Sequence, residues 1–190
     1  MKRIVLFASG SGTNAENIIK FFNNTKTAKV VKVLCNNKNA FIFERCKDLK
    51  IDCLLFKKSD FYSSENILSF LKKEADLIIL AGFLWKIPEK IISEFPNKII
   101  NIHPALLPKY GGKGMYGMHV HRAVKENKES ETGITIHYVN ANYDEGAVIF
   151  QAKAGLSKED TPEIIAEKIH VLEQKHFPKV IEDVILSKNE

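Results

Sequence analysis

The sequence predicts a single α/β domain over residues 1–190, built on a mostly parallel twisted sheet with helices on both faces. Three observations predict it. Short apolar, β-rich runs alternate with stretches of helical periodicity. A glycine–serine loop separates the first such run from the first helix, the usual punctuation of a βα unit. No repeat, low-complexity tract or linker divides the chain.

In order, residues 3–8 read as a buried strand and residues 14–22 as a helix after the glycine loop. Residues 30–35 form a second strand, 40–49 a second helix and 53–56 a short third strand. Within 61–73 the residues Ile67, Leu68 and Leu71 have helical spacing, and 76–81 (DLIILA) is a buried strand. A short helix over 89–95 leads to the strand 98–103. Residues 132–139 and 147–152 are strands separated by the turn-rich NANYDEG. Thr161, Pro162 and Glu163 then open the last helix with a cap, an N1 proline and an early acid.

Hydrophobic residues are 45% of the chain and charged residues 27%, the composition of a globular domain. The apolar run from Ile4 to Ala8 is too brief for a secretion signal or a membrane span, so a cytoplasmic chain is expected. A net charge of +5 is spread along the sequence and interleaved with acids, which speaks against a nucleic-acid footprint. Cys35, Cys46 and Cys53 lack metal-ligand spacing and read as reduced residues in or near the core.

The loop Gly10-Ser11-Gly12-Thr13-Asn14 stands where backbone amides and a helix dipole hold an anion. Gly10, Gly12 and Ala15 also fit a dinucleotide pattern, but the second strand ends in Cys35-Asn36-Asn37 without the ribose-binding acid. A phosphate monoester is the expected guest. Asn101 and His103, in NIHPALLP, stand two apart at the end of a buried strand and share a face, with proline after them. Thr135 and His137 share a face of the next strand, and Asp144 follows in a loop. An amide, an imidazole and a carboxylate at the carboxyl ends of the strands suit acyl transfer to a nitrogen nucleophile. The first two would bind a tetrahedral oxyanion, and the acid would favour the imidazolium and move protons. His119 and His121 have His-x-His spacing but no further ligands for zinc, and no serine or cysteine is placed for covalent catalysis.

The set GSGTN, LAGFLWKIP, NIHPALLPKYGG, TGITIHYV and the DEG loop before AVIFQ resembles the phosphoribosylglycinamide formyltransferase family across nearly the whole chain. The resemblance implies a Rossmann-like formyltransferase fold. It also implies a one-carbon transferase of purine biosynthesis that uses 10-formyltetrahydrofolate as co-substrate, with no metal. By that resemblance Asn101, His103 and Asp144 are catalytic, with Thr135 and His137 supporting them. Gly10, Ser11, Gly12, Thr13, Asn14, Pro104 and Glu173 would hold the ribonucleotide. Leu84, Trp85, Lys86 and Ile87, with Asn101 and with Asn140, Ala141, Asn142, Tyr143 and Asp144, would hold the folate. Residues 1–100 would form the phosphate half and 101–190 the catalytic and folate half. Small molecules are then the expected partners, with neither nucleic acid nor membrane, for a monomer or homodimer. Many members carry an arginine where this chain has Trp85, and another near Ser64, and loop 109–117 is longer than the family's short form, which suggests a lid carrying Lys113.

Overall fold

Alternation along the first strand decides where the two cores lie. In the computed structural model, which describes residues 1–187, β1 (Lys2–Ala8) sends Ile4, Leu6 and Ala8 into one core and Val5 and Phe7 into the other. The first core is closed by α1 (Thr13–Thr25), α2 (Ile42–Asp48), α6 (Met118–Glu126) and α7 (Pro162–Ser187). The second is closed by α3 (Lys58–Tyr62), α4 (Asn66–Glu74) and α5 (Glu89–Glu94). Buried strands that face helices on both sides have no polar face to show, which is why LIIL and its neighbours read as unbroken apolar runs.

The remaining strands are β2 (Ala28–Cys35), β3 (Cys53–Leu55), β4 (Leu77–Leu80), β5 (Ile99–His103), β6 (Glu131–Tyr138) and β7 (Val148–Gly155). They form one sheet in the order β3-β2-β1-β4-β5-β6-β7, parallel from β3 through β5. The order reverses beside β1, where the helices that follow β1 and β4 cover opposite faces and a crevice opens at the strands' carboxyl ends. At that end Phe7 stacks with Phe56, Phe61 and Phe83 at centroid distances of 5.8, 5.8 and 5.1 Å. Trp85 meets Phe56 edge-on at 5.8 Å, so the segment after β4 leaves the sheet over a rigid aromatic floor.

The structure departs from the sequence reading in three places. The helix expected over 61–73 is two helices, because the Ser64 hydroxyl donates to Asp60 O (3.0 Å) and accepts from Asn66 N (3.3 Å), ending one helix and starting the next. A further helix, α6, lies between β5 and β6 and was not expected. Finally, β6 and β7 run antiparallel, with Tyr138 opposite Ile100 and Thr135 opposite His103. Among the described residues no helix is long and apolar enough to cross a membrane. The last helix starts as expected, with Ile164 N donating to Thr161 Oγ1 at 3.3 Å.

Candidate active site

The glycine loop is built so that its carbonyls turn away from the crevice. Asn37 Nδ2 donates to Ser9 O (3.1 Å), Ile42 N to Gly10 O (3.3 Å) and Arg45 Nε to Ser11 O (2.7 Å). The amides that open α1 have no acceptor within the helix and face the other way, toward a cleft of about 890 Å³. Gly12 has φ +75°, and a methyl group there would lie 2.3 Å from Ile42 Cδ1. Both the backbone angle and the close approach of α2 require glycine at that position. Gly10 has open space around it. The Asn14 side chain reaches α7 instead: its Nδ2 donates to Glu173 Oε2 (3.0 Å) and its Oδ1 accepts from Gln174 Nε2 (2.9 Å). Asn14 keeps its main-chain N–H and the second hydrogen on Nδ2 for a ligand, and its amide fixes the Glu173 carboxylate at the cleft wall.

The second wall is polar because two strands place four polar side chains on one face. Asn101 pairs with His137 and His103 with Thr135 across the antiparallel ladder. His137 Nδ1–H donates to Tyr138 O (2.9 Å), so its Nε2 carries the lone pair that accepts from Asn101 Nδ2 (3.1 Å). Burial pushes the His137 imidazole below the usual histidine range and keeps that tautomer neutral. Thr135 is fully buried: its hydroxyl donates to Ala105 O (2.7 Å) and accepts from Leu107 N (3.0 Å), holding the proline-bounded segment that follows β5.

His103 Nε2–H donates to Tyr110 O (2.7 Å), which leaves Nδ1 facing Asp144 Oδ2 at 3.6 Å. Asp144 Oδ1 lies 3.7 Å from His137 Nε2, and Oδ2 accepts from Gly112 N (2.9 Å). The acid reaches the imidazoles by an unexpected route. Because β6 is antiparallel, the loop carrying Asp144 leaves the sheet beside the start of β5 and folds over the polar face. Loop 109–117 is correspondingly pinned at its start, through the Tyr110 carbonyl and the Gly112 amide, to two of the three polar groups. Tyr110 Oη also donates to Glu129 Oε1 at 2.9 Å.

The mouth of the cleft lies between the segment after β4 and the β6–β7 loop. Leu84 N donates to the buried Ser9 Oγ (3.0 Å), tying that segment to the glycine loop. The Lys86 ammonium lies 5.5 Å from the Tyr143 ring, and Tyr62 Oη donates to Lys86 O at 2.8 Å. An apolar floor with one cation and one aromatic at the rim suits a flat heterocycle that carries acidic groups.

A formyl transferase family model matches residues 2–181. The chain belongs to the formyl transferase family. Among the family's curated members, phosphoribosylglycinamide formyltransferase of Haemophilus influenzae is 35% identical over 95% of this chain and 86% of its own length. The Bacillus subtilis enzyme of the same name is 32% identical over 97% and 95%. The chloroplastic phosphoribosylglycinamide formyltransferase of Arabidopsis thaliana is 36% identical over 95% of this chain, which spans 64% of that relative. The solved phosphoribosylglycinamide formyltransferase of Anaplasma phagocytophilum superposes with a TM-score of 0.88 at 30% identity, covering 98% of this chain and 88% of that one. Glycinamide ribonucleotide transformylase 1 of Geobacillus kaustophilus gives 0.88 at 33%, covering 97% and 99%.

Against that family background the cleft is lined by Gly10, Ser11, Gly12, Thr13, Asn14, Pro104 and Glu173. Leu84, Trp85, Lys86, Ile87, Asn140, Asn142 and Tyr143 line it as well, with Asn101, His103, His137 and Asp144. Two expected residues stand outside the lining: Ala141, which is exposed at a loop tip, and Thr135, which acts from beneath. Ser64 serves the α3–α4 turn. His121, His170 and the 112–118 segment, including Lys113, also line the cleft. Sequence reasoning weighed His121 only as a zinc ligand, and without α6 nothing indicated which way it faced. Among the described residues no group of three or more His, Cys, Asp or Glu is arranged to hold a metal ion.

Proposed function

We propose that this chain transfers the formyl group of 10-formyltetrahydrofolate to the amine of N1-(5-phosphoribosyl)glycinamide, a step of de novo purine synthesis. The observation that carries the reading is the placement of Asn101 and His103 on one face, with the Asp144 carboxylate 3.6 Å from His103 Nδ1, in the same cleft as the glycine loop. The family and the names of the relatives above support it. The folate is a co-substrate held between residues 84–87 and the loop 140–144, and the phosphate sits on the amides of residues 10–14. Glu173, already aimed by Asn14, takes the ribose hydroxyls.

The amine attacks the formyl carbon, and the carbonyl π pair moves onto oxygen. That oxyanion is met by the second Nδ2–H of Asn101, whose first is spent on His137, and by the Nδ1–H of protonated His103. The adduct's ammonium loses its proton to Asp144, and through an intervening water that proton reaches N10 of the folate. The carbonyl re-forms as the C–N10 bond breaks, giving the N-formyl product and tetrahydrofolate. Residues 1–100 thus supply main-chain anion binding and residues 101–190 the side-chain chemistry. We place the chain in the cytoplasm, acting on small molecules as a monomer or homodimer, with neither nucleic acid nor membrane as partner.

The test is turnover of purified chain with both substrates, followed by mass spectrometry of the formylated ribonucleotide. Release of free formate at the same rate with and without the amine substrate would sink the transferase reading in favour of hydrolysis.

A further inference from the structure

One imidazole in the cleft has no part in the reaction above. His121 lies in α6, is 5% exposed and lines the cleft, yet its Nδ1 is buried without a hydrogen-bond partner. Nε2 is not buried in this way and has no partner among the described residues, so the cleft is its outlet. Burial pushes the ring below the usual histidine range; neighbouring His103 reinforces this and Glu173 opposes it. A neutral imidazole has one N–H. On Nδ1 that hydrogen would be a buried donor without an acceptor, which proteins tolerate less than an unused lone pair. The hydrogen therefore sits on Nε2 and points into the cleft.

What it meets follows from the substrate's layout, and so rests on the function proposed above. The phosphate end is fixed by the glycine loop, the ribose by Glu173, and the attacking amine by the Asn101–His103 pair. His121 lines the same cleft as Glu173 and His103, the residues assigned to the ribose and to the reacting end, so the part of the substrate left for it is the amide between them. We infer that His121 is a ribonucleotide-recognition residue whose Nε2–H donates to the carbonyl oxygen of the glycinamide. Such a bond fixes the rotation of the amide and thereby aims the terminal amine at the formyl carbon. It also favours acceptors with a carbonyl at this position over plain sugar phosphates.

Two measurements test this. In calorimetric titrations, His121→Phe should weaken glycinamide ribonucleotide binding roughly 10- to 100-fold, the range for a lost bond that leaves a buried group unpaired. Ribose 5-phosphate, which lacks the amide, should bind about as before, and His121→Gln, which keeps a donor, should restore most of the affinity. Equal losses for both probes, or none for the ribonucleotide, would overturn the inference. The second uses unmodified protein labelled with 15N-histidine. The His121 ring should show its proton on Nε2, and that signal should move with glycinamide ribonucleotide but not with ribose 5-phosphate. A proton on Nδ1, or a signal unmoved by a bound ribonucleotide, overturns the inference alone. Wild-type chain that does not bind the ribonucleotide overturns the proposed function as well.

Discussion

Replacing His137 with phenylalanine separates a structural histidine from one that sets the orientation of a catalytic amide. His137 never needs to touch substrate. Its Nε2 accepts from Asn101 Nδ2 at 3.1 Å, and that single bond distinguishes the two ends of the Asn101 amide. Without it the amide is free to turn its carbonyl oxygen toward the developing oxyanion, where it repels instead of donating. The rate loss then approaches that for removal of one oxyanion donor, on the order of 10²–10³ in kcat. Stability should fall much less. The bond to Tyr138 O (2.9 Å) is lost, at a cost of about 0.5–1.5 kcal/mol, within the roughly 5–15 kcal/mol by which domains hold together. Phenylalanine fills most of the site, so no large cavity adds to this. Steady-state kinetics with both substrates should show kcat reduced and both KM values within a few-fold of wild type, while thermal melts confirm a cooperative fold. A variant with wild-type kcat would refute the role of His137 in holding Asn101, and matched losses in kcat and melting cooperativity would show only a structural part.

The other predictions concern the anion loop, the acid and the response to pH. Gly10→Ala places its methyl in open space, so the free protein should melt normally while ribonucleotide binding weakens by calorimetry; unchanged affinity would mean that the anion approaches elsewhere. Gly12→Val should instead destabilise the fold itself, because its Cβ would lie 2.3 Å from Ile42 Cδ1 at a φ of +75°, and chemical denaturation should show losses beyond about 1 kcal/mol. Asp144→Asn keeps an oxygen to accept from Gly112 N and suits the residue's φ of +56°, so the fold should persist while turnover drops by about two orders of magnitude. Normal turnover would reduce Asp144 to a turn former. Burial lowers the His137 and His121 pKa values, so below about pH 6.5 the unfolded chain binds protons that the folded chain refuses, and stability should fall on acidification by up to about 1.4 kcal/mol per pH unit for each. His170, raised by the Glu173 carboxylate 3.7 Å from its Nδ1, acts in the opposite sense, adding stability at low pH that is lost as pH rises through its folded value. Denaturant midpoints at pH 7.5 and 5.5 should show the net decrease, with a shallower slope in His137→Asn.

What the sequence discloses follows from which forces leave a local trace. Burial between two helical layers leaves contiguous apolar runs, so β1, β2, β4 and β5 are legible to within a residue or two. The period of a strand likewise puts Asn101 beside His103 without any structure. Pairing between distant segments leaves no such trace. That β6 runs antiparallel to β5, with His137 opposite Asn101 and Val139 N donating to Ile99 O (2.9 Å), is a pairing between separate segments that the local pattern does not encode. Helix α6 escaped notice because it is nine residues long, buries only Val120, His121 and Val124, and follows a glycine-rich loop. The split between α3 and α4 turns on one serine hydroxyl, too local for a periodicity argument.

The direction of β6 also explains why the chemistry is concentrated beside β5. In the parallel part of the sheet, neighbouring strands offer the crevice only their carboxyl ends, and what they present there is loop backbone. That suits an anion, which needs N–H groups held at fixed angles, and the outward-turned carbonyls of residues 9–11 serve that end. An oxyanion and a mobile proton need side chains whose rotation is fixed. An antiparallel partner supplies this along a strand's length, because each side chain on β5 acquires a directly opposed neighbour on β6. Asn101 is held that way by His137. His103 is held instead at Nε2 by the Tyr110 carbonyl, with the Asp144 carboxylate 3.6 Å from Nδ1, and both of those groups belong to loops that bond to each other through Gly112. The amide donor is therefore set by the sheet and the imidazole by the loops. Damage to loop 109–117 should disorder His103 and Asp144 together while leaving Asn101 in place.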